Sequence, residues 1–207
     1  MSSEEKGAEN NFEDADLRGR DFSWENLNNA KFSGADLSNA DLTGANLIGA
    51  KLTPHYHDWG FRASNSTKLN NADLSFANLS NSNLHYADFS NAYLIGSTLK
   101  NADIQSANFK KADLSYADFT NSNLWDSSLE NVTANNAKFN YIKGASFLND
   151  SKFQNSQFIE ANLRESTLDR SDFSNSDLRA ANFDNASLKK LIFDNANLSY
   201  TDISSKL

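Results

Sequence analysis

The sequence predicts an all-β fold in which short extended segments wind about one common axis, a parallel β-solenoid. Three observations predict it. Bulky apolar residues recur every fifth position along most of the 207-residue chain. A small residue stands two positions before most of them, so a large and a small side chain point the same way, as alternate residues of a strand do. A repeat of five matches neither the 3.6-residue helix nor the two-residue alternation of a continuous strand. The chain must therefore turn a corner in every unit to bring the next large residue back to the axis.

The repeat runs in three registers. The first steps by five from Leu17 to Leu52, the second from Leu69 to Phe139, and the third from Phe153 to Ile203. Of the 34 positions in these registers only Ala134 is not bulky, and Val132, two residues earlier, offers the missing volume. The small position is alanine in much of the first two registers (Ala30, Ala35, Ala40, Ala102, Ala107) and often serine in the third (Ser151, Ser156, Ser166, Ser171). No coil of such an array has a core of its own, so each buries its apolar residues only against its neighbours.

Composition excludes several classes. Only 39% of residues are hydrophobic, but their strict period separates the chain from a disordered one. There is no cysteine, hence no disulfide framework or thiolate metal site. The acidic start, MSSEEKGAENNF, is no signal-peptide apolar region, and no apolar run is long enough to cross a bilayer. A cytoplasmic protein without membrane contact is expected. The net charge of −8 is concentrated early: residues 1–52 carry ten acids and five bases, residues 53–139 eight and six, and residues 140–207 nine and eight. Such a surface repels nucleic acid and attracts a basic partner.

Stretches such as Ala35-Asp36-Leu37-Ser38-Asn39 and Ala112-Asp113-Leu114-Ser115-Tyr116 follow the pattern A(D/N)LXX. That pattern, repeated over residues 15–203, resembles the pentapeptide-repeat family. The resemblance implies a right-handed, quadrilateral parallel β-solenoid with four units per coil, so that residues 20 apart stack in columns. It implies about eight to nine coils, or roughly 40 Å at one strand spacing per coil. Residues 1–14 are read as a polar tail or cap, 15–203 as one solenoid, and 204–207 as a short tail.

The register breaks twice. Residues 53–68 are out of phase and hold His55, Tyr56, His57, Asp58, Trp59, Phe61 and Arg62, a mixture of the residue types enriched at protein interfaces. The segment looks like the projecting loops of pentapeptide-repeat proteins that protect DNA gyrase, and it is a candidate partner contact. Its two histidines and Asp58 lack a distant further ligand, so no metal is assigned. The second break, near 140–152, is read as a smaller loop or bulge in which either Phe147 or Leu148 takes the central place.

Aspartate or asparagine usually precedes the central residue, where its side chain steadies the neighbouring turn. Stacking at 20 residues places Asp16 with Asp36 and Asp21 with Asp41, two acidic columns that are further candidates for partner binding. Carboxylates on a convex wall cannot face each other across a cleft as glycoside hydrolysis requires. No catalytic triad, phosphate loop or cofactor signature appears, so no enzyme and no cofactor is expected. Lys100, Lys110 and Lys111 form a small basic spot. The outward aromatics Phe76, Tyr86, Tyr116, Trp125 and Tyr200 read as scattered over different columns, with Trp24 and Trp125 as possible contact points.

Two functions compete. The resemblance implies a DNA mimic that binds DNA gyrase or topoisomerase IV and confers quinolone resistance. The nearly neutral C-terminal third runs against that reading, and no C-terminal helix like the one through which those proteins dimerise is expected. The alternative is a scaffold or regulatory module without DNA mimicry. A homodimer through the C-terminal coils is the expected assembly.

Overall fold

In the computed structural model, residues 10–54, 66–144, 146–201 and 203 are described, and no helix is found among them. The backbone forms four parallel ladders, one per face of a square tower. The first face begins with Asn11, Lys31, Lys51 and Asn83, and the second with Asp16, Asp36, Lys68 and Asp88. The third begins with Asp21, Asp41, Asp73 and Tyr93, and the fourth with Asn26, Asn46, Asn78 and Thr98. Only Ser127–Ser128 (β1) and Ser146–Phe147 (β2), paired in parallel, are longer than a single bridge. Each face is thus little more than one paired residue wide, which is why five residues suffice for a side and its corner.

Most units repeat the same hydrogen bonds. The central residue donates to the next coil, as Leu37 N–H does to Lys68 O at 2.7 Å, while the residue before it donates to the previous coil, as Lys68 N–H does to Ala35 O at 3.0 Å. The corner closes when the residue three beyond the centre donates back, as Ala40 N–H does to Leu37 O at 3.0 Å. The residue before that donor has positive φ, which marks a type II turn. Asparagine and glycine dominate this position (Asn39, Asn71, Asn91, Gly19, Gly44) because both tolerate the left-handed region.

The axis is filled as the period requires. Leu37, Phe89, Leu114, Phe119 and Phe153 are fully buried, and so are the alanines two residues before the centre from Ala30 to Ala161. Phenylalanines one coil apart lie ring on ring, at 4.7 Å for Phe89 and Phe109 and 4.8 Å for Phe119 and Phe139. Ala134 and Val132 are both buried, so the exchange of large and small positions keeps the axis full. The stack already includes Asn11, paired with Lys31, and Phe12, stacked on Phe32 at 4.9 Å, both inside the span read as a polar tail.

The two interruptions differ in kind. At the first, the ladders jump from Asp36 to Lys68 and from Asp41 to Asp73 without losing a rung. The tower closes over the insertion: buried Thr67 donates its hydroxyl to Phe32 O at 2.8 Å and to Thr53 O at 3.2 Å, and Ser33 meets Thr53 at 3.1 Å. The second interruption is a contraction rather than the loop or bulge expected near 140–152. The small positions Ile142 and Ser146 stand four residues apart instead of five, with Ile142 buried and Gly144 at the centre. The ladders step by 19 residues from Ser127 to Ser146 and from Thr133 to Lys152. A Cβ on Gly144 would lie 2.5 Å from Trp125 Cα, and its φ of +104° also demands glycine. Leu148, 1% exposed, is the central residue, while Phe147 at 43% points outward.

Candidate protein-interaction surface

The tower is convex on every side, so its chemistry lies on walls and corners. His55, Tyr56, His57, Asp58, Trp59, Phe61 and Arg62 lie outside the described residues. Pro54 and Ser66, the described residues on either side of them, stand at the corner that follows the first face.

Both expected acidic columns form. Asp16 bridges to Asp36 and Asp21 to Asp41. The two columns differ in electrostatics. Asp16 is gripped by Arg18 through Nε at 2.8 Å and Nη2 at 2.7 Å, which holds its carboxyl down at about 2. Burial pushes the Asp36 carboxyl up, but the Ser38 hydroxyl and N–H and the Lys68 ammonium at 3.3 Å outweigh it, so the net direction is down. The second face is therefore largely neutralised.

On the third face the ladder runs Asp21, Asp41, Asp73, Tyr93, Asp113. Each aspartate accepts the backbone N–H two residues on, from Ser23, Thr43, Ser75 and Ser115, at 2.9 to 3.0 Å. The Ser23 hydroxyl, then its N–H, lowers the Asp21 carboxyl. None of the four has a lysine or arginine partner among the described residues. Asp73 and Asp113 escaped sequence reasoning because the insertion shifts the 20-residue count by twelve. The lysines read as a basic spot are partly engaged: Lys100 reaches Asp118 at 3.1 Å and Lys110 reaches Glu130 at 2.9 Å.

The same shift hid a second alignment. Trp24, Gly44, Phe76, Gly96 and Tyr116 each stand three residues beyond a rung of the third face, so they share the corner between the third and fourth faces. The outward aromatics are therefore not all scattered. Tyr86, Tyr141 and Tyr200 do lie on other corners, but these three line one edge, separated by glycine. The rings rest on those glycines: a Cβ on Gly44 would meet Trp24 Cε3 at 2.4 Å, and one on Gly96 would meet Phe76 Cδ1 at 3.0 Å. Trp24, Phe76 and Tyr116 remain 74%, 62% and 65% exposed.

The family model for pentapeptide repeats matches the chain in eight copies, over residues 21–53, 65–94, 72–110, 87–126, 112–143, 146–185 and 176–205. Among solved structures, the chain is similar to HetL, a pentapeptide repeat protein involved in heterocyst differentiation regulation from the cyanobacterium Nostoc sp. strain PCC 7120. That match has 27% identity and a TM-score of 0.58, and covers 90% of this chain and 73% of that one. It is also similar to full-length QnrB1, a plasmid-mediated fluoroquinolone resistance protein, at 18% identity and a TM-score of 0.63, covering 92% and 94%. A trypsin-treated form of QnrB1 matches at 20% identity with a TM-score of 0.65, covering 92% and 91%. No curated protein sequence matches the chain.

Proposed function

The chain belongs to the pentapeptide-repeat family, and on that premise we propose that it is a non-enzymatic, cytoplasmic, protein-binding solenoid that engages DNA gyrase or topoisomerase IV as a mimic of DNA. In this reading the tower is right-handed with eight to nine coils, and binding shields the topoisomerase from quinolone-type inhibitors. The observation that carries it is the third-face column Asp21, Asp41, Asp73, Asp113, which has no basic partner among the described residues. Carboxylates repeating along a convex wall offer a basic channel what a phosphate backbone offers it. The likeness in fold to QnrB1, a fluoroquinolone resistance protein, agrees with the shielding from quinolone-type inhibitors. Residues His55 to Arg62 act as an additional contact.

A gyrase supercoiling assay with and without a fluoroquinolone tests the reading. Protection at micromolar protein is expected, and deletion of residues 54–66 abolishes it while the β-type circular dichroism persists. Neither inhibition nor protection in that assay would sink the gyrase assignment.

The likeness to HetL favours a second reading, a regulatory or scaffolding module that holds another protein without imitating DNA. A pull-down from the native host then returns a partner that a Tyr56→Ala, Trp59→Ala variant fails to hold. Under either reading the C-terminal coils pair two copies. The N–H groups of Leu188, Phe193 and Leu198 donate to nothing among the described residues, and they lie where another strand layer would add. Analytical ultracentrifugation that finds only monomer removes this assembly.

A further inference from the structure

We propose that the corner carrying Trp24, Phe76 and Tyr116 is a docking edge for a proline-rich, arginine-bearing segment of a partner protein in the polyproline II conformation. The inference rests on the reading of the chain as a protein-binding solenoid and adds where, and to what kind of segment, it binds.

Residue choice at this corner runs against the backbone. Trp24, Phe76 and Tyr116 have φ of 61°, 60° and 62°, a region that bulky side chains disfavour and that asparagine or glycine fills at most other corners. The same corner further along the tower carries Asn136, Asn155, Asn175 and Asn195, so the turn itself does not call for aromatics. Glycine at Gly44 and Gly96 lets each ring lie down along the edge instead of standing away from it. The product is a row of three well-exposed aromatics, one on every second coil.

Two features of that row select the occupant. The first is its period. Coils one strand spacing apart put alternate coils about 9.6 Å apart. A polyproline II helix turns once in three residues, or about 9.3 Å, so every third residue of such a segment meets the next ring almost in register. Aromatic-lined surfaces hold proline-rich segments in this way, because the segment is already extended and loses little entropy on binding. The second feature is charge. Asp21, Asp73 and Asp113 each stand three residues before one of the aromatics, and Asp41 stands three before Gly44. The fourth face on the other side of the corner offers amides and Thr98 in its early rungs, Asn26, Asn46 and Asn78. A cation lying along the edge thus has carboxylates on one flank and ring faces beneath it. Arginine uses both at once, through its planar fork and through stacking.

The test is binding of a fluorescein-labelled (Pro-Pro-Arg)4 peptide to the full chain, followed by anisotropy at several salt concentrations. Asparagine is the substitute of choice, since this corner already carries it elsewhere. The variant Trp24→Asn, Phe76→Asn, Tyr116→Asn should keep its β-type spectrum and weaken binding about tenfold or more. The variant Tyr86→Asn, Tyr141→Asn, Tyr200→Asn, which removes aromatics from other corners, should leave binding unchanged. Asp21→Asn, Asp41→Asn, Asp73→Asn, Asp113→Asn should weaken it and flatten its salt dependence. Equal binding by the edge variant and the wild type overturns the proposal. So does nona-arginine binding as tightly as (Pro-Pro-Arg)4, because charge alone would then suffice. Cellohexaose binding that the edge variant loses, with the peptide unaffected, reassigns the edge to a glycan. Gyrase plays no part in these measurements, so their failure and the failure of the supercoiling assay are separate results.

Discussion

In the coils up to Phe139 the small inward position is mostly alanine, the corner after the third face is aromatic or glycine until Tyr116, and Asp21, Asp41, Asp73 and Asp113 on that face have no basic partner among the described residues. In the coils after Gly144 serine takes many of the small positions, the same corner is asparagine, and Asp150 and Asp177 are each held by an arginine, Arg170 and Arg179. The serines show how a solenoid buries a hydroxyl. Isolated ones, such as Ser82 and Ser97, donate to the carbonyl of their own turn, at 2.6 and 2.8 Å. Stacked ones bond between coils: Ser171 donates to Leu148 O at 2.5 Å and accepts Ser151 N–H at 3.0 Å, and Ser151 donates to Leu129 O at 2.7 Å. An isolated hydroxyl takes the second lone pair of a turn carbonyl that still accepts its own turn N–H, as at Ser82 and Ser97. A stacked one inserts into the turn, accepting the N–H of Val132 or Ser151 and donating to Leu129 O or Leu148 O. The two regions share a fold but differ in surface. The earlier coils display the aromatic edge and carry most of the net negative charge, and the later ones bury stacked serines and are nearly neutral.

The largest expected effect tests the axis common to both regions. Leu114→Asp places a carboxylate where nothing can hydrate it, and should cost more than about 4 kcal/mol. Loss of the cooperative thermal transition is the readout. Gly144→Ala strikes the junction between the regions. Its Cβ meets Trp125 backbone rather than a side-chain tip that can move away, and a destabilisation of about 2–4 kcal/mol is expected in urea titrations. Ser171→Ala tests the serine ladder. It strands the buried Ser151 N–H and should cost about 1–3 kcal/mol, whereas Ala92→Ser among the alanine coils should stay within about 1 kcal/mol, because the new hydroxyl can reach its own turn carbonyl. Equal costs at the two sites would remove the distinction between the regions.

The smallest effect is on pH dependence. The carboxyls of Asp16, Asp36, Asp150 and Asp177 are all lowered, by Arg18 at Asp16, by Ser38 and Lys68 over burial at Asp36, by Arg170 at Asp150 and by Arg179 at Asp177. A lowered carboxyl stabilises the fold above its unfolded value and loses that contribution as pH falls through the folded one. The melting temperature should therefore hold above pH 4 and decline from the ordinary value of 3.8 toward about 2, the Asp16 value. Arg18→Gln should remove the lowest part of that window and leave the rest. A melting temperature that rises on acidification would contradict the pairing.

Much of the architecture was legible because one rule repeats. A large residue every fifth position, with a small one two before it, has a single compact solution, and even the swap of Val132 for Ala134 could be read as volume kept constant. The acidic pairs Asp16 with Asp36 and Asp21 with Asp41 followed from the same count. Legibility stopped where the count was interrupted. Asp73, Phe76, Asp113 and Tyr116 lie beyond the insertion, so a 20-residue period assigns them to the wrong corners. The contraction at Gly144 was equally opaque, since either Phe147 or Leu148 satisfied the apolar pattern.

The linear order of residues by itself determined that the chain winds about an apolar axis, which side chains fill it, and where its phase is broken. Those properties depend on local spacing and on hydrophobic burial, and both are written into each unit of five. Tertiary structure alone decided which coils lie against which across the breaks. The pairing of Asp36 with Lys68, 32 residues on instead of 20, depends on long-range backbone hydrogen bonds, and these hold the stack continuous across the break. From that choice follow the uncompensated acidic column and the aromatic edge beside it.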